Sequence, residues 1–377
     1  MLYSKPGLLL VLLMMTGLPA CASWTADTVA TMSPSTPALT MSALPTATSQ
    51  RPTLQWPTLI PSPTIVVPPV PDDKRIVANI DIGAAPWNMA VADGILWVMA
   101  GNSIVRIDPK TDKVMGKPIP VTVPERTRLE AITVDQDAVW VSAIGGGNIG
   151  VPNDIDSVLR IDPQTGETVA RIKVRRGPVS LAATSGFVWA VNWGAHLISK
   201  IDSKTNQLVG EPFKTGAAPY SIAIGDGSVW VVNHDDGTVT RIDPETNQII
   251  ADILSHWEPH RIAFGEDAVW LGNWHDSSVS RIDTQTNQII GEPIPIGYVA
   301  GNIAAGYGNV WVTSDYRGMD AFPEAFPDHT VLIRIDPKTN TVVDTIQLGG
   351  HPVDVEVTED AVWVSIQNPD RVLKIRP

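Results

Sequence analysis

A short run of apolar residues around a tryptophan recurs seven times along this chain, and a basic residue, an isoleucine and usually Asp-Pro follow each run. The copy at 227–233 reads GSVWVVN, and RIDP follows it at 241–244. The seven tryptophans lie 40 to 52 residues apart and are Trp97, Trp140, Trp189, Trp230, Trp270, Trp311 and Trp363. This period is typical of repeat proteins whose units pack side by side.

The fourth repeat shows how hydrophobic and polar positions divide one unit. Apolar stretches at 220–224, 228–233, 238–243 and 248–253 are separated by the turn-forming sequences GDG, HDDG and PETN. These separators are rich in the residues that tolerate turn and left-handed backbone. No helical period intervenes, so each repeat predicts four short antiparallel strands, named A to D here.

Strand B of this repeat is apolar on both faces. Val229 and Val231 point one way, and Trp230 and Val232 point the other. A sheet with one solvated face would alternate apolar and polar residues, so both faces are expected to be buried between neighbouring sheets. The sequence therefore predicts an all-β fold, a seven-bladed β-propeller with four antiparallel strands per blade.

The last repeat lacks its own D strand, and the start of the repeat region supplies one. The stretch at 75–83, RIVANIDIG, matches the D-strand pattern of TVVDTIQLG at 341–349. We expect this N-terminal strand to pair beside 371–375 and close the ring, which leaves no open sheet edge.

Residues 1–21 resemble a bacterial lipoprotein signal. Lys5 precedes an apolar run at 8–15, and Leu18-Pro-Ala-Cys21 follows it as a lipobox. Eight apolar residues are too few to span a bilayer as a helix. Cys21 is the only cysteine, so we predict that it is lipidated and that disulfides play no part. The alternative is an ordinary signal peptide and a secreted protein.

Residues 22–74 are dominated by Pro, Thr, Ser and Ala, a composition that cannot bury a core. We predict a disordered tether here and the propeller over 75–377. The net charge of −13 argues against a nucleic-acid partner and against adhesion to anionic lipid. Membrane contact is expected through the lipid anchor only, on the extracytoplasmic side.

Irregular loops are predicted on one face of the ring. In a propeller, the B–C loops and D–A connections emerge together, on the face conventionally called the top. The spacing from Trp140 to Ile161 is 21 residues and that from Trp311 to Ile335 is 24, against 12 in four other repeats. Both insertions fall in B–C loops, where a regular scaffold usually carries its binding residues.

Aromatic and charged residues outside the repeat pattern collect on the same face. The ligand-binding candidates are Trp87, Trp193, His196, Trp257, Arg261, Trp274, Tyr316 and Arg317. Such side chains suit stacking on a ring with polar groups that fix its orientation, so a protein, peptide or glycan ligand is expected. The alternative is that they plug the channel or cover loop backbone.

Histidines concentrate in the fourth and fifth repeats. His234, His260 and His275 are the candidate catalytic residues, and together with Asp235 they are candidate ligands of a divalent metal. The alternative is that they are solvated loop residues. No nucleophile elbow, phosphate-binding loop or zinc-protease helix occurs in the sequence, which excludes the commonest enzymes.

The repeat pattern resembles the YVTN/YncE-like and NHL-like propellers and, more distantly, the virginiamycin B lyase (streptogramin lyase) group. The resemblance covers 75–377 and implies the propeller fold. Those lyases use a top-face His and Glu with magnesium, and PHRI at 259–262 is similar to their Pro-His-Gly-Ile segment. Arg261 replaces the glycine, and Glu130 is the one top-face Glu at a matching register. Three hypotheses follow: a non-catalytic binding protein, a lyase-like metal enzyme and an envelope scaffold.

Overall fold

The structure is a computed structural model that describes residues 73–377 except 136, 147–154, 185, 256–257 and 315–329. The chain divides into two units, Met1–Pro63 and Thr64–Pro377, and every described residue belongs to the second. The predicted signal, Cys21 and most of the tether lie outside the described residues. No helix in the described part is long and apolar enough to cross a membrane.

The described residues form thirty strands, numbered in chain order, and one 3₁₀ helix at Trp193–Ala195. The first four strands of the ring and its closing strand are β1 (Ile76–Asp81), β2 (Pro86–Ala92), β3 (Ile95–Ala100), β4 (Ser103–Asp108) and β5 (Lys113–Val114). The next strands are β6 (Ile119–Pro120), β7 (Thr127–Val134), β8 (Val139–Gly145), β9 (Ser157–Ile161), β10 (Thr168–Lys173), β11 (Pro178–Thr184), β12 (Phe187–Asn192), β13 (Leu197–Asp202) and β14 (Gln207–Leu208). They are followed by β15 (Pro219–Gly225), β16 (Ser228–Asn233), β17 (Thr238–Ile242), β18 (Ile249–Leu254), β19 (Pro259–Gly265), β20 (Ala268–Asn273), β21 (Ser278–Asp283), β22 (Gln288–Ile289) and β23 (Ile294–Pro295). The chain continues with β24 (Ala300–Gly306), β25 (Asn309–Ser314), β26 (Val331–Asp336), β27 (Thr341–Gln347), β28 (His351–Val357), β29 (Val362–Gln367) and β30 (Arg371–Ile375).

These strands build seven antiparallel sheets, which confirms the predicted seven-bladed propeller. The A strands β2, β7, β11, β15, β19, β24 and β28 each contact the next around the ring, and β28 contacts β2. Blade seven has the order β1-β30-β29-β28, so the N-terminal strand closes the ring as expected. Asp81 pairs with Arg371 and Ala78 with Lys374 along this junction. Arg75 adds an ion pair to Asp344 of blade six.

The repeated tryptophans pack between blades. Trp230 and its B-strand neighbours Val229, Val231 and Val232 are all fully buried, so both faces of β16 are covered as predicted. The other six repeat tryptophans are at most 3% exposed. Burying an aromatic side chain of this size removes roughly 150–250 Å² from water. Each tryptophan therefore acts as inter-blade packing.

The basic residue links its own blade to the next in six repeats, whereas the hydrogen bond of Arg334 goes to Asn309 of its own blade. Arg241 lies over the ring of Trp230, with the guanidinium carbon 4.7 Å from the centroid. Its Nη1 donates to the carbonyl of Thr284 (2.5 Å) and to Oδ1 of Asn287 (2.9 Å) in blade five. Lys374 makes the same link from blade seven to blade one, through the carbonyl of Pro109 (2.6 Å) and Oδ1 of Asp112 (2.9 Å). The recurring cation is therefore a junction between blades.

The Ile-Asp-Pro segments form turns, as the sequence suggests. Oδ1 of Asp243 accepts hydrogen bonds from the backbone N–H groups of Glu245 (2.8 Å) and Thr246 (3.0 Å). Asp202 and Asp283 make the same pair of bonds in blades three and five. These N–H donors lower the pKa of the turn carboxyls, because they favour the ionised form. Because successive strands run in opposite directions, the C–D turns lie at the bottom face, opposite the B–C loops.

Candidate functional site on the top face

The top rim of the channel is where the seven blades differ most. Each A strand begins there, and one register near its start faces the rim. The residues at this register are Trp87, Glu130, Val179, Tyr220, His260, Gly301 and Val353. Gly301 admits no side chain, since a Cβ would lie 2.5 Å from Oγ1 of Thr313. Blades four and five are neighbours that both place a ring at this position.

Four rings from blades four and five form one aromatic cluster, which consists of Tyr220, His234, His260 and Trp274. The rings of Tyr220 and His260 stack with centroids 4.1 Å apart. His260 meets Trp274 edge-on at 4.6 Å and His234 at 5.6 Å. His260 is buried, whereas the other three rings are partly exposed. The cluster therefore presents an aromatic surface built around a buried imidazole.

Buried asparagines fix the loops that carry two of these rings. The side-chain amide of Asn233, at the end of β16, donates to Oγ1 of Thr238 (3.0 Å) and of Thr240 (2.8 Å). Asn273 makes the equivalent bonds to Ser278 and Ser280 across the B–C loop of blade five. Because these bonds close the loops tightly, the residues that follow, His234 and Trp274, are held above the sheet.

Hydrogen bonds across the two blades orient the cluster further. Nδ1 of His234 donates to the carbonyl of Pro259 (3.2 Å), the residue before His260. The backbone N–H of Trp274 donates to the carbonyl of Glu258 (3.1 Å). The B–C loop of blade four is thus joined to the start of blade five, and the rings keep a fixed arrangement.

A cavity of about 500 Å³ opens beside the cluster. His234 lines it, together with Asp235, Asp236, Leu254 and Glu258. Leu254 is 76% exposed, so an apolar surface and three carboxylates lie within one concave site. Cavities of this size and mixed lining are typical of small-ligand sites.

A smaller pocket of about 70 Å³ lies at the mouth of the axial channel and receives residues from all seven blades. Its polar lining consists of Asn88, Glu130, Ser180, Ser221, Arg261 and Asn302. Arg261 follows His260 on β19, and its guanidinium carbon lies 5.0 Å from the centroid of Tyr220. The channel mouth and the aromatic cluster therefore share the Tyr220 ring.

Two carboxyl groups lie on β28, the A strand of blade seven. Oδ2 of Asp354 accepts from the backbone N–H of Met89 (2.6 Å), and Oδ1 accepts from its neighbour Val355 (2.9 Å). Burial raises the pKa of Asp354 to about 6 despite these bonds. Burial and the nearby charge of Asp354 also raise the pKa of Glu356 well above its usual value.

One position of the repeat distinguishes blade seven, which carries this carboxyl pair, from the other six blades. The A-strand residues that pair with the repeat tryptophans are Ala90, Thr133, Ala182, Ala223, Ala263, Ala304 and Glu356. Six are small or short, and only blade seven carries an acid. This departure at a single register distinguishes Glu356 from the equivalent residues of the other blades.

The structure brings together only part of the candidate set. Arg261, Trp274, His234 and His260 are neighbours, and Tyr220 joins them. Trp87 and Trp193 belong to blades one and three and are each 42% exposed. Nδ1 of His196 accepts the backbone N–H of Ala218 (2.8 Å), so this ring joins two loops. Trp257, Tyr316 and Arg317 lie outside the described residues.

The four candidate metal ligands do not converge. His275 and Asp235 are exposed, and neither joins the ring contacts of His234 and His260. The described residues contain no group of three or more His, Cys, Asp or Glu side chains that could hold a metal ion. Among the described residues, the candidate ligands His234, Asp235, His260 and His275 therefore do not assemble a metal centre.

A second cavity, of about 510 Å³, lies at the bottom face of blades one to three. Asp93, Asp135, Arg160 and Lys204 are among its lining residues. The carboxylate of Asp135 is occupied by the N–H groups of Asp137, Ala138 and the Trp140 indole. Because this lining consists of turn residues already engaged in the repeat, we favour the top face as the functional site.

Solved structures with the same fold include virginiamycin B lyase from Staphylococcus aureus. Its catalytically inactive variant with quinupristin is 16% identical, aligns with a TM-score of 0.62 and covers 80% of this chain and 98% of its own. A streptogramin B lyase is also 16% identical, with a TM-score of 0.59 over 79% and 96% of the two chains. A chain of the mitotic checkpoint complex aligns with a TM-score of 0.65 at 11% identity over 81% and 94%.

No protein-family model and no curated protein matches the chain. The structural similarity to the streptogramin lyases is distant, as expected from the sequence, and it shows that the chain shares their seven-bladed propeller fold. Since a checkpoint protein shares the fold as well as the lyases do, the fold does not select an activity.

Proposed function

We propose that the protein is a lipid-anchored, extracytoplasmic propeller that binds a small ligand or a peptide on its top face without catalysis. The observation that carries this proposal is the cluster of Tyr220, His234, His260 and Trp274, whose rings contact one another at 4.1 to 6.2 Å. Three of these rings keep an exposed portion, and one of them, His234, lines a cavity of about 500 Å³. Stacking of a planar ligand group on such a surface contributes favourable free energy in peptide and sugar recognition.

The arrangement of the histidines supports binding over chemistry. His234 is oriented by a backbone carbonyl, and His260 is buried beneath two other rings. A general base must reach the proton that it removes from a bound substrate, and a buried ring contact does not provide that access. The rings therefore act as a rigid stacking surface.

The proposed binding is tested by titrating the full chain with a peptide and glycan panel and repeating the measurement with Trp274→Ala. We expect affinity to fall roughly 2- to 30-fold, because aromatic stacking and cation–π contacts contribute on the order of 0.5–2 kcal/mol. Tyr307→Ala is the matched control, since Tyr307 is an exposed aromatic residue in the A–B turn of the bottom face. Equal losses in both variants would contradict a top-face site.

A lyase-like enzyme is the second candidate, and the resemblance of the segment at 259–262 to the streptogramin lyases favours it. Virginiamycin B lyase has been crystallised with quinupristin, and His260 lies in the segment that resembles the lyases. Incubating the full chain with quinupristin and analysing the products by mass spectrometry separates the two candidates. Ring-opened product that is lost in His260→Gln would replace the binding proposal with the lyase.

The anchor rests on the lipobox at Cys21 and is tested apart from binding. We expect the full chain to fractionate with membranes and Cys21→Ser to appear in the soluble fraction, because a thioether-linked lipid needs the thiol. A wild-type chain recovered wholly in the soluble fraction would favour the secreted alternative.

A further inference from the structure

Arg261 is a cation without a direct partner at the mouth of the axial channel. Its Nε is buried and has no hydrogen-bond partner, and no ion pair joins it to another described residue. Its guanidinium carbon lies 5.0 Å from the centroid of the Tyr220 ring. Nε of Arg106, Arg281 and Arg371 is unpaired as well, but each of those guanidinium groups donates to a backbone carbonyl through another nitrogen. Arg261 makes no hydrogen bond to another described residue, so its donors are open to a ligand.

Two carboxylates around Arg261 have other partners. Glu130 lines the same pocket and accepts a hydrogen bond from Nε of Arg128 (2.8 Å) at the rim. Both oxygens of Asp354 accept backbone N–H groups, at 2.6 and 2.9 Å. Asp354 and Arg261 therefore interact electrostatically without a hydrogen bond. The N–H donors of the guanidinium remain available to a ligand.

The pocket around Arg261 has the size of a small anionic group. Its volume of about 70 Å³ is close to that of two water molecules in the liquid, at about 30 Å³ each. The side chains of Asn88, Asn302, Ser180 and Ser221 line it and supply amide and hydroxyl groups. A carboxylate fits this space, whereas the remainder of a ligand must lie outside it.

The ring cluster stands directly beside this opening. Tyr220 lines the pocket and also stacks on His260, so a ligand whose acidic group enters the pocket would lay its planar part on the cluster. We propose that the site selects ligands that carry a carboxylate, which binds the guanidinium of Arg261 in the channel mouth. This inference rests on the proposed binding function and specifies its ligand class. Arginine suits this role, because its planar fork matches both oxygens of a carboxylate.

A peptide C-terminus and an acidic sugar share this chemistry, and paired probes distinguish them. The peptide arm compares N-acetyltryptophan with N-acetyltryptophan amide, and the sugar arm compares glucuronate with glucose, each by calorimetric titration of the full chain. We expect the acid of at least one pair to bind roughly 10- to 100-fold more tightly than its neutral partner, as for a hydrogen bond to a charged group. The arm that shows the difference identifies the source.

Substitution of Arg261 then separates the inference from the proposed function. In Arg261→Gln the preference for the acid is expected to disappear while the affinity for the neutral partner is retained. Arg261→Lys, which keeps the charge and loses the fork, is expected to keep part of the preference. Arg175→Gln is the control, because Arg175 is an exposed arginine whose partner Glu211 is itself 90% exposed.

The outcomes that contradict the two proposals differ. If the acid and neutral members of each pair bind equally, or if the preference survives in Arg261→Gln, the carboxylate site is wrong and the aromatic site stands. If no member of either pair binds the wild-type chain, both proposals are wrong. The wild-type comparison stands even if a variant folds poorly, since it needs no substitution.

Discussion

Arg241 and Arg261 show how differently two regions of this propeller use the same side chain. Arg241 belongs to the repeated frame and donates to Ser228, Thr284, Asn287 and Asp226. Arg261 belongs to the top rim and has no hydrogen-bond partner among the described residues. The frame therefore satisfies its charges internally, whereas the rim leaves one available to a ligand.

The tryptophans divide in the same way. Trp230 is fully buried beneath Arg241, and its Nε1 donates to the carbonyl of Gly225 (3.0 Å). Trp274 is partly exposed and meets only the edge of His260 within its cluster. Residues that recur in every blade therefore hold the ring together, and residues that occur in one or two blades form the site.

The largest expected effect comes from removing a frame tryptophan. Trp230→Ala is expected to lower the free energy of unfolding by roughly 3–5 kcal/mol, because it opens a cavity between two packed blades. The cation above it would also lose its aromatic contact. Chemical denaturation followed by circular dichroism measures the change.

Trp274→Ala is the matched comparison for this effect. Since Trp274 is only partly buried, its loss is expected to cost at most about 1–2 kcal/mol of stability while it abolishes the stacking surface. If both variants were destabilised equally, the division between frame and site would be wrong.

Most of the frame could be predicted from the sequence because its chemistry repeats. The predicted B strand of blade four, 228–233, agrees with β16, and the D strand differs by one residue at each end. The closing strand was predicted from its likeness to β27 and pairs with β30 as expected. Because one pattern recurs seven times, both the strand register and the number of blades could be predicted from the sequence.

The site could be predicted only in part because it depends on distances that no period encodes. His234 and Trp274 follow β16 and β20 in B–C loops and His260 lies at the start of β19, whereas His275 was grouped with them although its side chain is exposed. Sequence alternation does not reveal which way a loop residue turns. The carboxyls of Asp354 and Glu356 were overlooked, since their importance arises from burial in the folded protein.

The smallest expected effect is on the pH dependence of stability, which differs between the two regions. Burial raises the folded-state pKa of Asp354 from 3.8 to about 6, so this carboxyl favours the fold when protonated. Its contribution is fully present below pH 3.8 and is lost as the pH rises through 6.

The turn carboxyls have lowered pKa values because backbone N–H groups bind their ionised form. Their contribution is present above pH 3.8 and is lost as the pH falls further.

Stability is therefore expected to rise by on the order of 2 kcal/mol as the pH falls from 8 to about 5, and to fall again below pH 4. Thermal unfolding of the full chain across this range measures both limbs. Asp354→Asn should make the limb between pH 8 and 5 shallower, because its amide does not titrate while Glu356, whose pKa is also raised, still does, and should leave the acid limb intact. Asp243→Asn, in a turn of the frame, should weaken only the acid limb. If the stability of the wild-type chain does not change between pH 8 and 5, the Asp354 carboxyl is solvated like the turn carboxyls. The electrostatic distinction between rim and frame would then be wrong.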